Sequence, residues 1–157
     1  SKKTKKIIVY TDGGCRGNPG PGGWGVVFQW GFECDYKATR SGSSKDTTNN
    51  KMELMAAIQA LLYIEKITEE DNISFEVDLH TDSTYVKQGI TQWIHSWKKK
   101  NWRNSSGHAV KNQELWKKLD EVSSKLKVNW FWVKGHSGHP GNDHADRLAN
   151  AAMDRMH

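Results

Sequence analysis

The chain reads as an α/β protein in which helices pack on one mixed, five-stranded sheet. Three observations lead there. Strand-like apolar patterns crowd the first forty residues, strand and helix patterns alternate after them, and no repeat, low-complexity tract or linker interrupts the 157 residues. The length suits one domain of ordinary size, expected to span 1–157 with residues 1–6 as a basic tail.

Ile7, Ile8, Val9 and Tyr10 run into Thr11-Asp12-Gly13-Gly14, the pattern of a buried strand that breaks out at a sheet edge. Asp12 is thereby carried on a rigid element to the lip of the sheet. Gly13 to Gly25 holds half of the 14 glycines and reads as a glycine-rich turn. Val26–Trp30 and a segment around Phe32–Thr39 follow as the second and third strands of an antiparallel meander. Residues 41–50 form a polar loop, and a helix runs from about Asn50 to Ile64 with Leu54, Ile58, Leu61 and Leu62 along one stripe.

Phe75–Thr81 alternates apolar and polar residues like a half-buried strand and ends at Asp82. Ser83–Gly89 reads as a short helix closed by glycine, Thr91–Lys100 as another and Asn112–Lys125 as a third. Val128–Lys134 is the last strand. After a loop with two histidines comes a final helix, Asn142–Met153, with Ala145, Leu148, Ala149 and Ala152 inward.

Composition narrows the function classes. Lys+Arg of 23 against Asp+Glu of 18 gives a net charge of +5, which favours a polyanionic partner only where it is clustered. Cys15 and Cys34 have no paired-motif spacing, so no disulfide framework is expected and the cytoplasm is the expected compartment. SKKTKK is followed by only four apolar residues, too few for a signal peptide or a membrane span. Gly20 to Gly25 matches G-x-G-x-x-G but leads into a strand, whereas a dinucleotide fingerprint opens a helix. A phosphate-binding loop with G-K-[ST] is absent. His136 and His139 with His144 and a cysteine lack a second ligand pair at zinc-finger spacing, so zinc is not expected.

Four acidic residues carry the chemistry. Asp12 and Asp82 each end a strand, and parallel neighbouring strands would bring both out at one end of the sheet. Glu53 lies in the first turn of its helix and Asp146 one turn into the last, where either could be aimed at the same point. Convergent carboxylates repel unless cations lie between them, and an all-oxygen set favours Mg²⁺ or Mn²⁺. Each also has a purely local reading. Asn50 and Glu53 fit a capping box, Asp82 fits a helix N-cap, and Asp146 fits a carboxylate favoured by the helix dipole.

Four blocks, YTDGGCRGNPGPGGWG, TTNNKMELMAAIQAL, TDSTYVKQGITQWIHSWKKKNW and WVKGHSGHPGNDHADRLA, closely resemble those of bacterial type 1 ribonuclease H, in the family's order and spacing. The resemblance covers the chain from Ile7 to about Met153. It implies a ribonuclease H-like fold and hydrolysis of the RNA strand of an RNA–DNA hybrid with two Mg²⁺ ions, Mn²⁺ substituting, to give 5′-phosphate and 3′-hydroxyl ends. It implies that Asp12, Glu53, Asp82 and Asp146 bind the metals and that Asp12 bridges them. His136 matches the family's mobile-loop histidine, which assists the water or product release, and His139 is read as structural.

For the duplex, the resemblance implies that Asn18 and Asn49 contact the minor groove, that Thr48 and Asn50 bind a DNA phosphate, and that Asn142 belongs to the substrate-binding set. Thr84 stands where many relatives carry a longer glutamine, so no groove contact is assigned to it. Trp93, Trp97, Lys98, Lys99, Lys100, Trp102 and Arg103 match a basic protrusion that holds phosphates through its cations and sugars or bases through its indoles. The i, i+4 spacing of Trp93 and Trp97 equally fits a packing stripe. A monomer without a protein partner is expected. The alternatives are a non-catalytic hybrid-binding module and a DNA-cutting core of the transposase or integrase kind.

Overall fold

A computed structural model describes residues 4–30, 36–134 and 139–156. Strand β1 (Thr4–Cys15) pairs antiparallel with β2 (Gly20–Trp30) on one side and parallel with β4 (Ser74–Thr81) on the other. Strand β3 (Tyr36–Thr47) continues the meander beyond β2, and β5 (Lys127–Trp132) lies parallel to β4 at the far edge. The mixed five-stranded sheet therefore has the order β3-β2-β1-β4-β5, with β1 at its centre.

Alternation along β1 and β2 divides the sheet into two faces. Ile7, Val9, Val26 and Phe28 point to one, where α1 (Asn49–Asp71) lays Leu54, Ile58, Leu61 and Ile64 against them. Val77 and Leu79 of β4 complete that core, and α4 (Gln113–Ser124) adds Trp116, Leu119 and Val122. Burying each large side chain here stabilises by about 1.5–3 kcal/mol. The other face of β1, β2 and β3 is covered by α5 (Pro140–Asp154).

The structure redraws several expected boundaries. The glycine-rich turn shrinks to residues 16–19, because most of its glycines are strand residues. They are glycines for closeness rather than for turning: a Cβ on Gly25 would fall on the Ala145 carbonyl of α5. The polar loop expected at 41–50 is mostly the second half of β3, an edge strand in which Ser43, Lys45 and Asp46 are exposed. Helix α1 continues past Ile64 to Asp71 through the polar run 65–71 and stops at Asn72, whose φ of 54° is left-handed.

Gly89 does not close a helix. Helix α2 (Thr84–Gln88) passes through a π-helical turn (Gly89–Trp93) into α3 (Ile94–Lys99), and Gly89 is helical at φ −62°. Its missing Cβ makes room for the Trp116 ring. Among the described residues no helix is long and apolar enough to cross a membrane.

Candidate active site

Pairing of β1 with β4 ends at Thr11 opposite Thr81, so Asp12 and Asp82 leave the parallel pair at the same end. Asp12 stays in register with Gly25 of β2 and is only 7% exposed. Glu53 arrives from the start of α1. That helix is capped by Thr48, whose Oγ1 accepts the Lys51 N–H at 3.3 Å, so the capping box expected from Asn50 and Glu53 does not form. Likewise Ser83 caps α2, its Oγ accepting the Val86 N–H at 3.2 Å, in place of Asp82. Neither carboxylate is used as a helix cap.

Oxygens of Asp12, Glu53 and Asp82 lie within 4.8 Å of one another. Asp146, in the second turn of α5, brings its carboxyl within hydrogen-bonding reach of Asp12. Burial, the charge on Asp82 and the nearby Asp146 together push the Asp12 carboxyl up to about 9. Burial first, then the charges on Asp12 and Asp82, holds the Glu53 carboxyl well above its ordinary range, against one opposing bond from the Gly13 N–H. Such crowding of acids is unfavourable unless positive charge enters. A compact set of hard oxygen donors fits a divalent cation of the magnesium type, so the residues present suit that group.

The carboxylates line a cleft of about 490 Å³ together with Asn49, Asn50, Arg16, Thr84, Tyr85 and Asn150. The Asn18 Oδ1 accepts the Asn49 N–H at 3.0 Å, which ties the β1–β2 turn to the rim. Asn142 is different. It is 3% exposed and does not line the cleft. A surface contact with a duplex is therefore not available to Asn142 as placed. His136 lies outside the described residues. His139 caps the start of α5 by position, with its ring 5.0 Å from that of Tyr10.

The tryptophans of the basic segment pack together, as their i, i+4 spacing allowed. Trp97 packs among Trp93, Trp102 and the fully buried Trp116 in tilted and edge-on contacts, at ring distances of 6.0, 6.2 and 5.3 Å. Trp93, Trp97, Lys100 and Arg103 also line a second cleft of about 320 Å³. Lys98 is paired with Asp120 at 2.9 Å, while Lys99 is exposed. Sequence reasoning passed over Arg16, Tyr85 and Asn150 at the main cleft. Arg16 had a visible signal as the one cation inside the first motif. Asn150 had the i+4 spacing from Asp146, whose carbonyl its amide bonds at 3.0 Å.

Comparison with known proteins agrees with this geometry. The family model described as RNase H matches residues 4–154. The chain is similar to the ribonuclease H of Nitrosomonas eutropha, 49% identical over 154 residues that cover 97% of this chain and 92% of the relative. It is 52% identical to that of Ruthia magnifica over 151 residues, 96% and 97% of the two chains. Among solved structures, LC9-RNase H1, a type 1 RNase H with the type 2 active-site motif, superposes with a TM-score of 0.85 at 33% identity, over 100% of this chain and 76% of the other. LC11-RNase H1 in complex with RNA/DNA hybrid gives 0.72 at 27%, over 96% and 98%. With a family model spanning nearly every residue and relatives identical at about half of their positions, the chain belongs to the RNase H family.

Proposed function

We propose that this protein hydrolyses the RNA strand of RNA–DNA hybrids at the cleft between β1, α1 and α5, leaving 5′-phosphate and 3′-hydroxyl ends. The observation that carries the reading is the convergence of Asp12, Glu53, Asp82 and Asp146 on one point. LC11-RNase H1, similar over 96% of this chain, was solved with an RNA/DNA hybrid, which supports the substrate class.

Asp12, Glu53 and Asp82 would hold the divalent ions, Mg²⁺ with Mn²⁺ as a substitute, and Asp146 would complete the set from α5. Bound there, such ions activate water and stabilise the leaving oxygen of an in-line phosphoryl displacement. The chain's own contribution is placement. Asp12 is fixed by strand pairing on its β2 side, Glu53 by the Thr48 cap and Asp82 by the Ser83 cap. His136 is assigned the role of helping water or product along. Asn18, Thr48, Asn49 and Asn50 would grip the minor groove and a DNA phosphate, since an A-like groove offers 2′-hydroxyls and backbone rather than base identity. Trp93, Trp97, Trp102, Lys99, Lys100 and Arg103 would follow the DNA strand away from the cut. The protein is read as a cytoplasmic monomer.

The test is cleavage of labelled RNA–DNA hybrid, duplex DNA and duplex RNA side by side, with and without Mg²⁺. Metal-dependent cutting confined to the RNA of the hybrid is expected. A preference for duplex DNA, or turnover retained by Asp12→Asn, would overturn the reading.

A further inference from the structure

Asp82 stands one residue past the end of β4, where neither neighbouring strand reaches it. Pairing with β1 stops at Thr11 and Thr81, and pairing with β5 stops at Thr81 and Trp132. Its neighbours are nevertheless fixed. The Val133 N–H donates to the Thr81 carbonyl at 2.9 Å, and the Ser83 N–H donates to Thr81 Oγ1 at 3.1 Å.

That leaves the Asp82 carbonyl. Asp82 precedes the N-cap of α2, so the helix offers no amide to this oxygen. A side chain takes it instead: the Trp132 indole Nε1–H donates to the Asp82 carbonyl at 3.2 Å. Trp132 is 43% exposed, an unusual place for so large an apolar group, and the Lys87 ammonium lies 6.0 Å from its ring. The indole therefore sits at the surface and spends its only polar atom on the peptide that carries a cleft carboxylate.

We propose that Trp132 is a positioning residue that fixes the Asp82 peptide, and with it the direction of the Asp82 carboxylate toward a divalent cation; the proposal rests on the assignment of Asp82 as a metal-binding group. Side chains that orient a ligand from behind change metal affinity without touching the metal. Trp132→Phe keeps the ring and removes only the N–H. Because the ring lies at the sheet edge and is partly exposed, the variant keeps the fold's core intact.

Two measurements test it. In Mn²⁺ calorimetry on the metal-free full chain, Trp132→Phe should raise the dissociation constant about tenfold, while Phe131→Leu, at the equally exposed neighbour, should leave it unchanged. In ¹H–¹⁵N spectra of the wild-type chain, the indole N–H peak that disappears in Trp132→Phe should shift saturably as Mg²⁺ is added. A merely structural indole would show neither. Wild-type Mn²⁺ affinity in Trp132→Phe, or an indole peak that does not move with Mg²⁺, overturns the proposal. Asp82→Asn separates the two levels: if it too binds Mn²⁺ like the wild type, the assignment of Asp82 fails as well.

Discussion

Gly13 lies directly against the first turn of α1: a Cβ at this position would stand 2.5 Å from the Glu53 nitrogen and would overlap the Met52 carbonyl carbon. The Gly13 N–H in turn bonds the Glu53 carboxyl. The strand that carries Asp12 and the helix that carries Glu53 meet here without a side chain between them. Gly13→Ala should therefore push α1 outward and move one carboxylate relative to the other. We expect a loss of about 1–3 kcal/mol of stability from overpacking and a fall in cleavage on the order of a hundredfold from misplacement. Thermal melts and hybrid cleavage at saturating Mg²⁺ measure the two; an unchanged cleavage rate would show that this contact does not set the site.

The acids also share an electrostatic signature that a melt can read. In the unfolded chain Asp12 ionises near 3.8, and in the fold near 9. Between those values the folded state keeps a proton that the unfolded state has lost, so the contribution of Asp12 to metal-free stability is fully present below about pH 4 and is lost as pH rises toward 9. Asp12→Asn removes the ionisation. It should raise the stability of the metal-free protein by on the order of 1–3 kcal/mol near pH 8, and the gain should vanish near pH 4. Mg²⁺ should stabilise the wild type near pH 8 and the variant far less. A variant less stable than the wild type at the higher pH would contradict the crowding of charge described above.

What the sequence disclosed, and what it hid, follows from range. Asp82 was legible as standing at a strand end, and the parallel placement that brings it to Asp12 is the observed one, although β1 runs on past Asp12 to Cys15 along β2. The local readings of Glu53 and Asp82 as capping groups fail because Thr48 and Ser83 occupy the N-cap positions of the two helices and do that work. Glycine misled in the other direction. Gly23 and Gly25 look like turn residues in one dimension and are strand residues under α5 in three. The polar half of β3 was hidden because an edge strand needs no apolar alternation. Nothing in the linear pattern announced that Trp132 would reach back to the Asp82 carbonyl, since that bond joins residues fifty positions apart.

Tyr85 ties the cleft to the core, and its hydroxyl can be tested alone. The oxygen accepts the Trp116 Nε1–H at 2.9 Å and the Asn112 Nδ2–H at 3.1 Å. Trp116 is fully buried, so Tyr85→Phe leaves its indole N–H without an acceptor. The expected cost is about 1–3 kcal/mol, read as a lower denaturant midpoint with an unchanged slope. Tyr85→Phe together with Trp116→Phe should lose less than the sum of the single changes, because the second substitution removes the stranded donor. Additive losses would mean that the pair is not coupled.

The basic segment should divide its three lysines unequally. Lys98 is held by Asp120 at 2.9 Å with half of its side chain covered, and among the described residues that partner sets it apart from Lys99 and Lys100. A phosphate would have to draw Lys98 away from that carboxylate, so its net counterion release is smaller than that of an unpaired cation. Binding of hybrid in the absence of Mg²⁺, followed against salt concentration, reads this directly, since each phosphate neutralised contributes about 0.7–0.9 to the logarithmic slope. Lys99→Ala and Lys100→Ala together should flatten the slope by about 1.5, whereas Lys98→Ala alone should change it little. Asp120→Asn should steepen the slope by releasing Lys98 to the duplex, and that reversal is the diagnostic result. Equal effects from all three lysines, or a flat response to Asp120→Asn, would mean that the ion pair does not govern which cations meet the nucleic acid.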